Sequence, residues 1–394
     1  MKEHPTFVSS EKLIRPVMPE LDSLRGLAIL GVLFLHAFFW PYSGFHFTGW
    51  SRILLLATKP GWMGVNLFFV LSGFLITGIL LDSRNQPRYY SRFYTRRALR
   101  ILPAYYSLLV LLAILHQASA SFLGLSFIYL ANLTNLFGVP ADYGPLWSLA
   151  VEEHYYIAWP AVVRKLSTQN VALASAAICV VVPLLRAVAF HYGYTVGLGW
   201  YTWFVADGLA MGSLLAVVLR SSLTRESVSR LCAVLFMLAL VFTGAGARFG
   251  ILTMRRTLGA ALQYSVIHIF FAGVLLLFLL LGTSPRKRYV NHATLRFFGY
   301  ISYGLYLVHL MVFRIYDKIL WHHWPQWLPS DGHFGLVFIR FLIAGSTAVG
   351  LAYLSRRYFE EAFLKLKDRF TRDDAPALVP EAAPALPPLQ DPGR

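Results

Sequence analysis

The chain has 394 residues, of which 57% are hydrophobic and only 14% are charged, and its mean hydropathy is +0.56. A soluble domain carries about 25% charged residues, so this composition excludes a fold with a water-covered surface. The net charge of +16 does not indicate nucleic acid, because the arginines and lysines cluster between long apolar runs, as the positive-inside rule predicts for a membrane protein.

Apolar runs of the length that a helix needs to cross a bilayer, about 20 residues, recur along the chain. We expect a membrane domain at 21–371, preceded by a cytoplasmic segment at 1–20 and followed by a disordered Ala/Pro-rich tail at 372–394. The sequence predicts an all-α polytopic membrane protein of about ten transmembrane helices, at 22–41, 61–82, 99–117, 147–163, 171–190, 200–219, 231–247, 258–281, 297–320 and 335–354.

The first span carries three polar residues on one stripe. At about 100° per residue, Asp22, Arg25 and His36 lie close together round the helix. Asp22 and Arg25 are i,i+3 neighbours able to pair, and His36 lies about 16 Å further along the axis. A histidine inside a span either bonds a neighbouring helix or removes a proton from a substrate hydroxyl, and this helix alone leaves both roles open.

The loop before the third span is strongly basic, with the sequence FYTRRALRILP at 93–103. Arg97 and Arg100 stand one helical turn apart, which suits a bidentate grip on phosphates. The alternative is that these arginines only anchor the loop on the cytoplasmic side of the membrane, as the positive-inside rule predicts.

The apolar run at 121–137 is short and is interrupted by Asn132, Thr134 and Asn135. If this run crossed the bilayer, the basic clusters would divide between the two sides. The positive-inside rule therefore predicts a re-entrant or interfacial segment here, and both termini in the cytoplasm.

The fourth span opens with WSLAVEEHYY at 147–156. Ser148, Glu152 and Tyr156 are spaced i, i+4, i+8 and so line one face. Such a face can hold an imidazole through Glu152, as the orienting carboxylate does in other acyl-transfer sites. The alternative is that acidic residues simply favour a helix N-terminus at a wet interface.

The later spans hold further polar residues. Ser302, Tyr306 and His309 share a helical face, and we interpret them mainly as an interior hydrogen-bond network, with a substrate cavity as the alternative. Helix–helix bonding or snorkelling is the simplest interpretation of three others, Asp207, His268 and Arg314.

The loop at 321–334 is rich in tryptophan and histidine, which is typical of an aromatic belt at the membrane interface. His322, His323 and His333 lack a suitably spaced carboxylate or cysteine, so no metal site is predicted. Cys179 and Cys232 lie in or beside apolar segments, which excludes a disulfide framework.

Several segments, taken together and in this order, resemble the acyltransferase-3 family of integral membrane acyltransferases. Arg25 and His36 match its Arg-x10-His pattern, and Arg97 and Arg100 match its Arg-x-x-Arg element. Ser148 and Glu152 match its Ser-Leu-x-x-Glu element. The segments are LDSLRGLAILGVLFLHAFF, GWMGVNLFFVLSGFLIT (61–77), FYTRRALRILPAYY (93–106), WSLAVEEHYY (147–156), ISYGLYLVH (301–309) and YFEEAF (358–363).

The resemblance implies a reaction in which acyl-CoA arrives from the cytoplasm and an acyl group, often acetyl, reaches a hydroxyl. His36 would be the base or a covalent acyl carrier, Arg25 its partner, and Arg97 with Arg100 the contact for the CoA phosphates. We therefore expect catalytic residues His36, Arg25 and Glu152, CoA contacts Arg97 and Arg100, and substrate contacts Asp22, Ser148, Tyr306 and His309.

Three positions depart from the family pattern. Asn66 stands where relatives commonly have aspartate, so a carboxylate is absent there. Val205 occupies the place of an arginine often seen before Ala-Asp, which puts an ion pair with Asp207 in question. Ala362 replaces the usual proline after Phe-Glu.

The expected partners are the lipid bilayer, acyl-CoA and a carbohydrate, a lipid-linked sugar or a small glycosylated acceptor, with no metal and no nucleic acid. The expected location is the cytoplasmic (inner) membrane. Two rival functions stay open: a secondary transporter or flippase, which needs buried polar residues but consumes no thioester, and a non-catalytic scaffold. A further possibility combines enzyme and transporter: an acyltransferase that also moves the acyl group or the acceptor across the bilayer.

Overall fold

A computed structural model describes residues 13–371 except positions 252 and 331, with side chains through residue 366. The predicted tail at 372–394 and the first twelve residues of the segment predicted at 1–20 lie outside the described residues. The domain boundaries expected there therefore stay predictions.

The described residues form helices and no strand. They are α1 (Pro19–Tyr42), α2 (Gly49–Asp82), α3 (Tyr89–Ile114), α4 (Ala120–Phe127), α5 (Leu146–Lys165), α6 (Thr168–His191), α7 (Thr202–Val218), α8 (Arg225–Phe249), α9 (Thr257–Gly282), α10 (Ala293–His323) and α11 (Phe334–Leu366).

Eight of these helices are long and apolar enough to cross a bilayer. Of the other predicted spans, α7 is apolar but has only 17 residues, and α5 has 20 residues that include four charged ones. Each of the ten predicted spans thus corresponds to one helix, and the all-α polytopic membrane fold is confirmed.

The segment predicted not to cross the bilayer contains only a short helix. With 8 residues, α4 is about 12 Å long, against a hydrocarbon core of about 30 Å. It is followed by turns and by a 3-10 helix at Thr134–Phe137, so the chain here is too short to span.

The contacts between α1 and α10 independently support the conclusion that α4 does not cross the bilayer. Near the start of both helices, a Cβ on Gly299 would lie 1.9 Å from the Asp22 carbonyl oxygen, and further along both helices His36 lies 3.2 Å from His309. The two helices therefore run in the same direction. Two helices that run in the same direction must be separated by an odd number of crossings. The seven helices α2, α3 and α5 to α9 give an odd number, so α4 does not cross the bilayer.

Glycines allow the closest helix crossings of the fold, because membrane helices pack tightly where small residues meet. A Cβ on Gly26 would lie 1.9 Å from the Leu295 carbonyl oxygen, where α1 crosses α10. A Cβ on Gly73 would lie 1.9 Å from the Leu209 carbonyl oxygen, where α2 crosses α7. These crossings hold the neighbouring Arg25 and Ser72 in place beside a shared cavity.

Candidate active site

A cavity of 110 Å³ lies among α1, α2, α3, α5 and α10, and three arginines face it. We call it the arginine cavity. Its lining residues are Arg25, Val65, Phe68, Phe69, Ser72, Leu75, Arg97, Arg100, Ile101, Ser148, Leu149, Glu152, Glu153, Tyr156, Ser302, Tyr303 and Tyr306.

The three arginines differ in how they are held. Arg25 donates to Asp22 Oδ1 at 2.7 Å, which is the pair that their spacing predicts. The Arg97 guanidinium lies over the Tyr156 ring, 4.4 Å from its centroid. Arg100 makes no hydrogen bond or ion pair with another described residue, and its side chain is exposed where it lines the cavity. Its guanidinium donors are therefore available to an anionic ligand of the cavity.

Glu152 lies in the arginine cavity and not beside His36. Its Oε1 accepts a hydrogen bond from Ser72 Oγ at 2.7 Å. Ser148 and Tyr156 line the same cavity, as their spacing along α5 predicts. The carboxylate therefore stands among the arginines, where its charge offsets part of theirs.

A hydrogen-bonded pair closes the inner end of the cavity. Ser148 Oγ donates to the Pro145 carbonyl at 3.2 Å, so the Tyr306 hydroxyl donates to Ser148 Oγ at 2.6 Å. The Phe68 ring packs edge-on against Tyr306, with ring centroids 6.2 Å apart. These side chains separate the arginine cavity from the histidines beyond it.

His36 and His309 lie beyond this pair and do not line the cavity. His36 is half-buried in a π-helical segment of α1, Leu35–Phe39, and π-helical turns are frequent at functional sites. His309 is fully buried. His309 Nε2 lies 3.2 Å from His36 Nδ1.

The hydrogen bonds of this histidine pair assign its protons. His309 Nδ1 lies 3.0 Å from the Leu305 carbonyl and 2.9 Å from the Tyr306 carbonyl, so Nδ1 carries the proton and Nε2 is an acceptor. His36 Nδ1 lies 3.0 Å from the Val32 carbonyl as well as facing His309 Nε2, so it carries a proton and donates. The lone pair of His36 is therefore on Nε2, where a base or a nucleophile needs it.

Six of the nine predicted site residues meet at the arginine cavity and three do not. Asp22 is outside the cavity and pairs with Arg25, while His36 and His309 pair with each other. The residues on the cavity are Arg25, Arg97, Arg100, Ser148, Glu152 and Tyr306.

Sequence reasoning missed Ser72 and Tyr303. Ser72 is a hydroxyl within the apolar run of the second span, and that was the available clue to its role as the Glu152 donor. The sequence contained no clue to Tyr303, because the polar face predicted for α10 consisted of Ser302, Tyr306 and His309. Tyr303 nevertheless lines the cavity.

A second polar cluster lies apart from the cavity and joins four helices. Arg186 on α6 donates two hydrogen bonds to Asp207, at 3.1 and 2.9 Å. His268 lies between Asp207 and Asn66, at 3.3 and 2.9 Å. The ion pair that the family pattern places at Val205 is thus absent, and Asp207 pairs instead with an arginine from a neighbouring helix.

The remaining polar candidates have local roles. Arg314 donates to the Asp142 carbonyl at 2.7 Å and lies over the Tyr143 ring. The His322 and His323 rings meet edge to face at the end of α10. Within the described residues, no group of three histidine, cysteine or acidic side chains is arranged to hold a metal ion.

A family model described as "Acyltransferase domain" matches residues 18–357, which is most of the chain. The chain belongs to the acyltransferase-3 family. The resemblance found in its motifs is confirmed, and the membrane domain is an acyltransferase domain.

Curated relatives of this acyltransferase carry related names. It is 36% identical over 166 residues to a peptidoglycan O-acetyltransferase of Listeria monocytogenes, and this match covers 37% of the chain and 24% of that protein. It is 32% identical over 163 residues to a putative peptidoglycan O-acetyltransferase of Bacillus subtilis, covering 36% of the chain and 23% of that protein. The match therefore spans about a quarter of the length of these relatives. No solved structure matches the chain.

Proposed function

We propose that this acyltransferase moves an acetyl or other short acyl group from acyl-CoA to a carbohydrate hydroxyl, with His36 as the base. The observation that carries the proposal is the arrangement of the arginine cavity. On one side of the Ser148–Tyr306 pair, the arginine cavity is lined by Arg25, Arg97 and Arg100. The pair of His36 and His309 lies on the other side. This arrangement supports a polyanionic donor in the cavity, in line with a base beyond it.

The arginines supply what the phosphates of acyl-CoA require. Guanidinium groups bind phosphate oxygens bidentately, and Arg100 forms no ion pair with a described side chain. Because the inner end of the cavity is lined by Ser148, Tyr306 and Phe68, the narrow thioester arm of the donor fits there better than its phosphates do. Transfer to the His36 side then requires the Ser148–Tyr306 pair to open.

The transfer itself uses the lone pair on His36 Nε2. His36 takes the proton of the acceptor hydroxyl while the hydroxyl oxygen bonds to the thioester carbonyl carbon. The carbon–sulfur bond breaks, and the leaving thiolate takes the proton from His36 Nε2. The products are an O-acyl ester and free CoA thiol, and His36 returns to its starting protonation state.

A covalent route uses the same atom. His36 Nε2 bonds to the thioester carbonyl carbon, the carbon–sulfur bond breaks, and the thiolate leaves with a proton from solvent. The acceptor hydroxyl then attacks the acyl-imidazole, the carbon–nitrogen bond breaks, and the hydroxyl proton returns to solvent, so that Nε2 regains its lone pair. This route lets the acyl group change sides with a movement of the histidine alone.

The arginine cavity opens toward the side that holds most basic loop residues, which we assign to the cytoplasm of the inner membrane. The donor, as a cytoplasmic metabolite, then enters from that side. The peptidoglycan named for two relatives supports a carbohydrate acceptor here. A lipid-linked sugar or a small glycosylated molecule satisfies the same chemistry.

The test measures thiol release from acetyl-CoA by detergent-purified protein, with a crude glycan and lipid extract as the acceptor. His36→Ala should lower kcat by about 10²- to 10⁴-fold, the usual contribution of a general base, and leave CoA affinity unchanged. Arg100→Ala should raise the KM for acetyl-CoA by about 10- to 100-fold, because it removes a charged hydrogen-bond donor.

Arg96→Ala is the matched control, because Arg96 is on the same helix and does not line the cavity. It should behave like the wild type. Wild-type protein that is folded yet releases no thiol from any acyl-CoA contradicts the proposed donor and favours transport. Full activity in His36→Ala contradicts its assignment as the base.

A further inference from the structure

A second opening lies next to the arginine cavity, on the outer face of α10. It is a cleft of 590 Å³ between the start of α1, α10 and α11, and we call it the outer cleft. Its lining residues are Asp22, Ala293, Arg296, Phe297, Tyr300, Tyr353 and Arg357. Nothing in the mechanism above uses it.

Size decides which part of an acyl-CoA the arginine cavity admits. Sites for small organic ligands have volumes of about 300–1,000 Å³. The arginine cavity has 110 Å³, which suits the slender thioester arm and excludes the adenosine of CoA. The outer cleft, with 590 Å³, is within the range that a nucleotide needs.

The two openings adjoin on two helices. On α1, Asp22 lines the outer cleft and pairs at 2.7 Å with Arg25, which lines the arginine cavity. On α10, Tyr300 lines the cleft and Tyr303 lines the cavity, and residues three apart are neighbours on a helix surface. The two openings are therefore adjacent, and a ligand that occupies both must pass the Asp22–Arg25 pair.

The cleft combines aromatic faces with cations. Phe297 and Tyr353 have ring centroids 6.0 Å apart, and each ring is more than a third exposed. Aromatic side chains of this kind stack on the face of a purine base. Arg357 is paired with Glu361 at 3.0 Å.

Arg296 is the distinctive cation of the outer cleft. It is exposed, and its guanidinium makes no hydrogen bond or ion pair with another side chain in the described part of the protein. A guanidinium with all five donors available matches the geometry of a terminal phosphate monoester.

We infer that the outer cleft binds the adenosine 3′-phosphate end of CoA, with the base on Phe297 and Tyr353 and the 3′-phosphate on Arg296. The inference rests on the proposed acyl-CoA donor. The same phosphate chemistry is present in the headgroup of an anionic lipid, so the experiment separates the two sources.

The experiment compares binding of CoA and 3′-dephospho-CoA to the full chain in nanodiscs of phosphatidylcholine, by calorimetric titration. The wild type should bind CoA about tenfold more tightly than the dephospho form, since one charged phosphate contact is lost. Arg296→Ala should bind both ligands equally, at the affinity of the dephospho form.

Arg288→Ala is the matched control. Arg288 is also exposed, precedes α10 on the same side and lies outside the cleft, over the Tyr289 ring. It should keep the full preference for CoA. Because Arg296 is exposed, its truncation should leave the thermal unfolding temperature unchanged, and this measurement confirms that the variant is folded.

Any one of the following results would overturn the inference. Equal binding of both ligands by the wild type, or an undiminished preference in Arg296→Ala, refutes the subsite and leaves the acyl-CoA donor standing. Equal binding together with a stabilisation by phosphatidylglycerol that Arg296→Ala loses identifies a lipid headgroup site instead. Wild type that binds neither ligand contradicts the donor itself, and the subsite with it.

Discussion

At the scale of residues, the histidine pair differs from the usual acyl-transfer arrangement. A carboxylate commonly holds the catalytic imidazole and stabilises its protonated form. Here the partner of His36 is the neutral imidazole of His309, while Glu152 bonds Ser72. His309 therefore orients His36 without adding a negative charge beside it.

We predict that His309→Ala lowers kcat about 10- to 100-fold, the usual effect of removing a group that orients a functional histidine. The affinity for CoA should not change, because His309 does not line the arginine cavity. Initial rates over a range of acetyl-CoA concentrations, with CoA binding measured separately, check both parts.

His191→Ala serves as the control for that substitution. His191 is exposed at the end of α6, and its ring contacts the neighbouring Tyr192 ring. Its activity should equal that of the wild type. If His309→Ala weakened CoA binding and left kcat intact, His309 would be a substrate contact, as the sequence first led us to expect.

At the scale of elements, the α1–α10 crossing holds the cavity and the histidine pair in register. Arg25 and His36 are on α1, while Tyr306 and His309 are on α10. The crossing is close because Gly299 and Gly26 bring the two backbones together. A displacement here moves all four side chains relative to their partners.

We predict that Gly299→Ala destabilises the protein by about 1–3 kcal/mol, as expected of overpacking, since its Cβ would lie 1.9 Å from the Asp22 carbonyl oxygen. Activity should fall as well, because α10 must shift. Thermal unfolding in detergent and thiol release measure the two effects.

Gly350→Ala is the matched control for the crossing. Gly350 is on α11, and a Cβ there would meet nothing within 4 Å. An alanine at this exposed helical position should leave stability unchanged or raise it slightly. Similar losses in both variants would show that the crossing has no special role.

The buried pair of Arg186 and Asp207 has a different role at this scale. It joins α6 and α7, and the Ser265 and His268 side chains on α9 complete its hydrogen bonds. Breaking a buried pair by removing one partner costs about 3–5 kcal/mol, because the remaining charge stays unpaired. The cluster thus stabilises the half of the bundle away from the cavity.

At the scale of the whole molecule, ten crossings place the start of α1 and the end of α11 on one side of the bilayer. The loop before α4 and the loop after it are on the opposite side, because α4 does not cross. The arginine cavity and the half-buried His36 lie on opposite sides of the Ser148–Tyr306 pair.

We predict that alkaline phosphatase fused after Gln117 and after Gly144 is active in both fusions, since the positive-inside rule predicts that both positions are extracytoplasmic. A fusion after Ser222, between α7 and α8, should be inactive because the same rule predicts a cytoplasmic position there. Enzyme activity normalised to fusion level measures this. Opposite results at positions 117 and 144 would mean that the segment between them crosses the bilayer.

The sequence by itself determined the number of spans, the short segment at α4 and the faces that carry polar residues. These are properties of consecutive residues, because span length and helical spacing depend only on local composition and on the geometry of one helix. The pairing of Asp22 with Arg25 and the shared cavity face of Ser148, Glu152 and Tyr156 followed in the same way.

Only the tertiary structure decided which faces meet. Glu152 bonds Ser72 across 80 residues, and His36 bonds His309 across 273. The arginine that pairs with Asp207 comes from α6 and not from the position of Val205. Spacing along one helix contains no information about its neighbours, because close packing of glycine-lined backbones sets which side chains come into contact.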